Sequence, residues 1–494
     1  MTSGIDAEHT PVLIATGEAS EHDDLVSPID LAERAASQAL ASAPGLASAI
    51  ERLEVVSILA GGGLAPASEL AARLGIKPEV AVTTTIGGNT PQWLIGRAAD
   101  DIAAGRVGTV LIAGAEALRS YQQRPSHGGA AVGRGETPDP VIGDDRAGLS
   151  EAEVAAGLLL PAHVYPLFEN AIAARAGRSL DEHRMALGWL MSPFTEVAAT
   201  RPHAWFPRHL NPEEIATPAP ENRVTAEPYT KRMNAVITVD QGAAVAVTSL
   251  AIASELGLAD RAVFVWAAGD ASDVWFPSER PDLASSPAIA AAANAALSAA
   301  GIGIGIDDIT RLDLYSCFPS AVEIGASAIG ISEQDSRRLT VTGGLPYFGG
   351  PGNNYCTHAI AAIAESLRGA PAGTLGLVTG LGWYITKHSV GVYASTPSPR
   401  GYRRGDTSAQ QRRIDESALP VTADAGQRST AIVDAATVVY DRDGEPQSAP
   451  VIATLPDGRR IAARADEKEL PSLMGRNIVG MRVHVAGSPP SYRL

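Results

Sequence analysis

The chain has 494 residues, too many for one hydrophobic core, so two to four domains are expected. Hydrophobic residues at 45% and charged residues at 19% are the balance of a globular protein, and no apolar run has the length of a membrane helix. A formal net charge of −16 argues against non-specific binding to nucleic acid or to an anionic membrane.

In chain order, the opening "MTSGIDAEHTPVLIATGE" lacks the basic and apolar regions of a signal peptide. The only cysteines, Cys317 and Cys356, are too few for a disulfide framework, so a reducing cytoplasm is expected. "PVLIATGEA" (11–19) reads as a strand, and "SPIDLAERAASQALAS" (27–42) as a helix with Ser27 as N-cap and Pro28 at its first position. "LEVVSILA" (53–60) is the next strand, followed by the helix "PASELAARLG" and the strand "VAVTTTI". The turn Ile86-Gly87-Gly88-Asn89-Thr90-Pro91 then leads into a helix at 91–104, with Thr90 able to cap it, and the strand "TVLIAGAEA". That turn is shaped to present a catalytic side chain, yet it holds no Cys, Ser, His or carboxylate. Near-continuous apolar strands separated by helices predict a parallel sheet covered on both faces.

Residues 123–234 carry Pro, His and Trp clusters such as "RPHAWFPRHLNPEEI", with broken helices and little strand signal. They read as an insertion folded over the sheet, too rich in large apolar residues to be disordered. The α/β pattern resumes at 235–258 and at "AVFVWAAGDA" (262–271). "TVTGGLPYFGGPGNNYCTHAIAAIAESLRGAPAGTLGLVTGLG" (340–382) repeats the order strand, Gly-rich turn, helix, strand. Asn89 to Gly114 is 25 residues and Asn354 to Gly380 is 26, which predicts two similarly folded halves. In the second helix Ile360, Ile363, Ala364 and Leu367 form one apolar stripe. After a polar connector (397–420), residues 421–494 alternate apolar and polar, with turns at Asp-Arg-Asp-Gly and Pro-Asp-Gly, as a small antiparallel β domain does. Its nine Lys+Arg balance nine Asp+Glu, and Tyr440 and Tyr492 are its only aromatics, so a nucleic-acid role is not expected of it.

Taken together, residues 10 to 415 resemble the thiolase superfamily. The resemblance rests on "TVLIAGAEAL" (109–118), "LNPEEI" (210–215), "VITVDQGAAVAVTS" (236–249), "LDLYSCFPSAVEIGASAIGI" (312–331) and "GGLPYFGGPGNN" (343–354). The 312–331 segment is similar to the His-Asp-Cys-Phe stretch of sterol-carrier-type thiolases. The C-terminal domain resembles the one that marks the type 1 thiolase-like subgroup of actinobacteria. The implied fold is α/β, with two similar βαβαβ-type halves, an inserted loop domain and a small barrel-like β domain. The corresponding boundaries are 1–122 with 235–258, then 123–234, 259–415 and 421–494.

The departures from that family fall on its reaction centre. Where the family has its nucleophilic cysteine the chain has Asn89, and a carboxamide cannot form a thioester. The histidine of Gly-His-Pro falls on Gly350, and the second cysteine on Val378 or Thr379. The His-Asp pair falls on Tyr315 and Ser316, while Cys317 matches a residue read as structural. A relocated Cys356/His358 pair, with Lys387 and His388 nearby, is the other arrangement, but residues two apart do not share a helix face. Candidate ligand contacts are Asn89, Tyr315, Gly350, Asn353, Asn354, His358 and His388; the three asparagines either bond a carbonyl or pantetheine amide or serve as caps and turn residues. Arg201, His203, Trp205, Arg208 and His209 either serve the phosphates of such a ligand or form a surface-packing cluster.

The resemblance thus implies a protein that takes coenzyme A or an acyl-CoA as ligand, without a covalently bound cofactor or a metal and without thiolase chemistry. The alternatives are an acyltransferase using other residues and a non-enzymatic assembly partner. Family dimers pair through the strand before the nucleophile turn. Here that strand is Thr-rich, and a monomer is favoured over a homodimer.

Overall fold

A computed structural model describes residues 5–124 and 137–494. Residues 1–4, and the part of the expected loop domain at 125–136, lie outside the described residues.

The main sheet holds β1 (Pro11–Ser20), β2 (Arg52–Val55), β3 (Val80–Thr84), β4 (Thr109–Ala117), β5 (Val141–Ile142), β6 (Asp240–Ser249), β7 (Val263–Ser272), β8 (Ile309–Asp313), β9 (Leu375–Gly382) and β10 (Lys387–Ala394). Their spatial order is β8-β9-β10-β7-β1-β6-β4-β2-β3-β5, with Arg403–Arg404 added beside β7. The helices that position the features below are α1 (Pro28–Ala41), α2 (Thr90–Ala103), α3 (Pro161–Arg175), α4 (Leu180–Ala198), α5 (Pro287–Ala300), α6 (Pro319–Ala328), α7 (Tyr355–Leu367) and α8 (Ser408–Glu416).

The two halves are alike in pairing. In the first, β6 runs antiparallel between β1 and β4, and β4 and β2 are parallel. In the second, β10 runs antiparallel between β7 and β9, and β9 and β8 are parallel. A short antiparallel contact, Val12↔Phe264 and Leu13↔Val263, joins them. The sheet is therefore mixed, not parallel as expected. Strands buried on both faces are apolar throughout whichever way they run, so composition does not reveal direction.

The repeated Gly-rich units cross between halves. Asn354 Nδ2 donates to the Gly114 carbonyl at 2.6 Å, while Asn89 backs onto Gly380, where a Cβ would lie 2.9 Å from Asn89 Cα. Helix α7 is buried on nearly every side, beyond the single stripe expected. Its Ile360, Ile363 and Leu367 each contribute about 1.5–3 kcal/mol by burial.

Local chemistry sets several element ends. Ser27 and Asp30 form a capping box that starts α1 at Pro28. Strand β2 stops at Val55, short of the expected residue 60, because beyond the Val56 amide, which still bonds the Ala113 carbonyl, side chains take over backbone donors. Thr84 Oγ1 accepts from the Ser57 amide, and Glu116 Oε1 from the Leu59 amide. Residues 340–342 were expected to be a strand but form a loop, because Asp313 Oδ2 accepts from Thr340 Oγ1 and from the amides of Val341 and Thr342.

The insertion carries two long helices where broken ones were expected: α3 holds Pro166 and α4 holds Pro193 in its interior. Capping boxes at Ser179–Glu182 and Asn211–Glu214 fix helix starts there. The polar connector is not free either. Its helix α8 buries Ile414, and Gln411 bonds both the amide and the carbonyl of Ser272.

The C-terminal strands at 429–436, 450–454, 460–465, 482–486 and 491–493 close into a five-stranded barrel, shut by Arg464↔Ser491 and Ala465↔Tyr492. The barrel has its own hydrophobic core. The Val439–Tyr440 strand pairs with Val224–Ala226 of the insertion, and Asn170 Nδ2 donates to the Ala436 carbonyl at 2.8 Å. Among the described residues no helix is long and apolar enough to cross a membrane.

Candidate functional site

The turn between β3 and α2 is pinned from three sides. Thr90 Oγ1 donates back to the Gly87 carbonyl at 2.7 Å, so Thr90 tightens the turn rather than capping the helix, whose N-cap is Asn89. The Gly87 amide donates to Asn353 Oδ1 at 2.9 Å, and Lys387 Nζ donates to the Ile86 carbonyl at 2.6 Å. A Cβ at Gly88 would collide with the Tyr315 hydroxyl and lie 2.5 Å from the Leu381 carbonyl. Only glycine lets these segments approach so closely.

Asn89 fills the position at the head of α2. Its Nδ2 donates to Ser389 Oγ at 3.2 Å, and its Oδ1 is buried without a hydrogen-bond partner among the described residues. Beside it opens a cleft of about 970 Å³ whose lining includes Thr85, Asn89, Trp93, Arg146, Asp270, Asp273, Trp275, Lys387, His388 and Ser389. Burial lowers the Lys387 ammonium to about 8. His388 Nε2 is 3.1 Å from Asp273 Oδ2, and both residues are buried. Sequence reading missed Asp273 and Ser389. Ser389 belongs to β10, and Asp273 follows β7, the strand that β10 pairs with; one sequence does not print that register.

Tyr315 is brought to the turn. Its amide donates to Thr379 Oγ1 at 2.9 Å, and its ring meets Tyr355 edge-on at 5.7 Å. Val378 is fully buried in β9 and presents no polar group. Ser316 is fully buried. Gly350 donates its amide to the Val236 carbonyl at 2.9 Å. A Cβ at 350 would meet that carbonyl at 3.3 Å and Leu345 at 3.4 Å, a tight contact with the chain returning from the insertion.

The remaining candidates are spoken for. Asn353 Nδ2 donates to the Ser57 carbonyl at 2.9 Å, and Asn354 Oδ1 accepts from Thr357 Oγ1 at 2.6 Å. Both asparagines therefore act between backbone segments of the two halves. His358 is fully buried, with Nδ1 at 2.7 Å from Glu18 Oε1. Arg201 bridges Glu18 at 2.8 Å and Glu365 at 2.7 Å, and His203 Nδ1 meets Ser20 Oγ at 3.2 Å. Burial pushes the Glu18 carboxyl up, but the His358 hydrogen bond and the Arg201 charge outweigh it and hold the group below its usual range. Trp205 stacks on His22 at 4.1 Å. Arg208 is exposed and pairs with Glu214, and His209 Nδ1 lies 3.2 Å from Thr195 Oγ1. The structure thus separates the expected basic cluster into an inner ion-pair group around Arg201 and an outer group around Trp205 and Arg208.

Neither thiol is set up as a nucleophile. Cys356 donates its thiol to the Thr379 carbonyl at 3.8 Å, and burial pushes it well above the usual thiol range. Burial also pushes the Cys317 thiol up to about 12. A thiolate is the reactive form, and neither residue carries one near neutrality. Iodoacetamide at pH 8 is expected to leave both cysteines unmodified in the native protein and to label both in denaturant. Labelling of native Cys356 would restore the relocated nucleophile.

Residues 410–488 match the family model for the additional C-terminal domain of thiolase-like protein type 1. The chain is similar to a monomeric SCP2-thiolase-like protein type 1 from Mycobacterium smegmatis, at 31% identity over 99% of both chains and a TM-score of 0.85. An acetyl-CoA acetyltransferase from Syntrophomonas wolfei shares the fold at 17% identity, over 78% of this chain and 99% of its own, with a TM-score of 0.59. The dimeric peroxisomal thiolase of Saccharomyces cerevisiae does so at 15% identity, over 79% of this chain and 98% of its own, with a TM-score of 0.56. None of the curated proteins matches the chain.

Proposed function

The chain belongs to the SCP2-thiolase-like type 1 proteins, and from that premise we propose that it binds coenzyme A or an acyl-CoA without forming the acyl-enzyme of a thiolase. The observation that carries this reading is Asn89 at the head of α2, in a turn kept tight by Thr90, Asn353 and Lys387. An amide nitrogen and oxygen can hydrogen-bond a thioester or a pantetheine amide, but they do not displace a thiolate. The residues that fall where the family keeps its other reactive groups, Tyr315, Gly350, Val378 and Thr379, supply neither a second thiol nor an imidazole.

On this reading the outer group of the insertion meets the nucleotide end of the ligand. Trp205, stacked on His22, offers a face for adenine, and Arg208 offers an exposed guanidinium for phosphate. Arg201 is a poor phosphate ligand, because two carboxylates already hold it.

Calorimetry with coenzyme A should give binding in the micromolar to millimolar range, about −4 to −8 kcal/mol. Arg208→Ala should weaken it by up to about tenfold, or ~1.4 kcal/mol. No heat at millimolar ligand would replace this reading with that of a non-enzymatic assembly partner. The cleft beside Asn89, with Lys387 and the His388–Asp273 pair, favours a second reading, an acyl-transfer enzyme that uses other residues. Turnover of acyl-CoA that disappears in Lys387→Met would favour that second reading.

A further inference from the structure

Away from the Asn89 turn, three helices bring three ligating side chains together in the interior. Glu169 on α3, His183 on α4 and Glu323 on α6 each offer one donor atom, and the three atoms lie within 4.8 Å of one another. His183 Nε2 is 2.6 Å from Glu169 Oε1 and 3.9 Å from Glu323 Oε2. His183 and Glu169 are fully buried, while Glu323 keeps 18% of its side chain exposed, which gives an ion a way in.

We propose that Glu169, His183 and Glu323 hold one divalent cation of the zinc or manganese type. The cation ties the two long helices of the insertion to α6, the helix that follows Tyr315-Ser316-Cys317-Phe318.

The first support is an orphaned atom. Glu323 Oε2 is buried and has no hydrogen-bond partner among the described residues, although it is the Glu323 oxygen placed toward His183. The second is an oriented ligand. The Tyr229 hydroxyl donates to Glu169 Oε2 at 2.6 Å and in turn accepts from the Ser320 amide, which leaves Glu169 Oε1 facing the histidine. Outer hydrogen bonds of this kind fix the ligands of built metal sites. The third is charge. Two interior carboxylates are costly unless compensated, and the nearby cation Arg178 makes its ion pair with Glu333, at 3.4 Å. One nitrogen and two carboxylate oxygens suit a borderline or hard divalent ion rather than a thiophilic one. Two ligands at ~2.0–2.1 Å on a tetrahedral ion sit about 3.3 Å apart, between the two spacings seen here.

The test uses the full-length protein, stripped with a chelator, dialysed and titrated separately with Zn²⁺ and Mn²⁺. One equivalent per chain should be retained through gel filtration by elemental analysis. Glu323→Gln, which keeps the shape and removes the charge, should lower the affinity by more than the roughly 10–100-fold that changes to outer partners cost. X-ray absorption of the zinc-loaded native protein should show one imidazole nitrogen and carboxylate oxygens at ~2.0–2.1 Å, so the proposal stays testable if the variant does not fold. Failure to retain metal, equal retention by native protein and folded variant, or a ligand shell without that set would each overturn it. The first of these would leave a proton shared between Glu169 and Glu323 as the compensation.

Discussion

A single methyl group added at Gly17 or at Gly269 is expected to cost about 3 kcal/mol each, at the upper end of overpacking effects. The two positions are equivalent in the two halves. In the first, a Cβ at Gly17 on β1 would overlap the Ala35 carbonyl oxygen of α1 and lie 2.8 Å from the Ala39 amide nitrogen. In the second, a Cβ at Gly269 on β7 would overlap the Ala292 carbonyl oxygen of α5 and lie 3.2 Å from the Ala296 nitrogen. The obstacle is helix backbone in both, which cannot swing away as a side chain does. Urea unfolding of Gly17→Ala and Gly269→Ala should show matching losses, while Gly305→Ala, where a Cβ meets nothing within 4 Å, should stay within about 0.5 kcal/mol of the parent. A large loss in one half alone would contradict the equivalence of the halves.

The second large effect concerns assembly. The family resemblance implies dimer pairing through β3, and here the C-terminal end of its outer edge is already taken. The Thr83 amide donates to the Pro140 carbonyl and the Thr85 amide to the Ile142 carbonyl, so β5 covers the end of the edge next to the Asn89 turn from within the same chain. A covered edge offers no template for a partner strand. The full chain should scatter light as a 51.0 kDa monomer, as its Mycobacterium smegmatis relative is monomeric. Replacing residues 138–143 with a Gly-Ser linker should uncover β3 and produce a species of twice that mass. A variant that stays monomeric would reject β5 as the block. If removal of 421–494 alone produced the dimer, the block would lie in the barrel, whose strand Val439–Tyr440 pairs with Val224–Ala226 and not with β3.

How much of this was legible in the sequence depends on the range of each interaction. The repeat of Gly-rich units, the Ser27 cap and the C-terminal hairpins are local signals, and each appears where the residues put it. The hairpins turn at Gly444 and Gly458, both with positive φ. Strand direction was not legible, because β6 enters the sheet antiparallel after the long insertion, and β10 folds straight back beside β9 across residues 383–386. Nor was the 340–342 loop, whose shape is set by Asp313, a residue 27 positions earlier than Thr340. The candidate site divides the same way. Asn89 and Tyr315 were found from their motifs and do meet at the turn. The engagement of Arg201 and His358 was hidden, because both end on Glu18, at separations of 183 and 340 residues. A basic residue looks free in a sequence until its carboxylate is located.

An Asn89→Cys variant should remain inactive in thiolysis, because a lone thiol lacks the imidazole and second thiol that act with it, and groups that work as a unit do not return one at a time. The most direct measurement is the intact mass of the native protein after exposure to acetyl-CoA and acetoacetyl-CoA, with thiolytic cleavage followed in the same samples. An unchanged mass and no cleavage are expected from Asn89 at the turn and from the buried, protonated Cys317 and Cys356. A stable adduct of acyl mass on either cysteine, or turnover of acetoacetyl-CoA, would contradict a thiolase fold without acyl-enzyme chemistry.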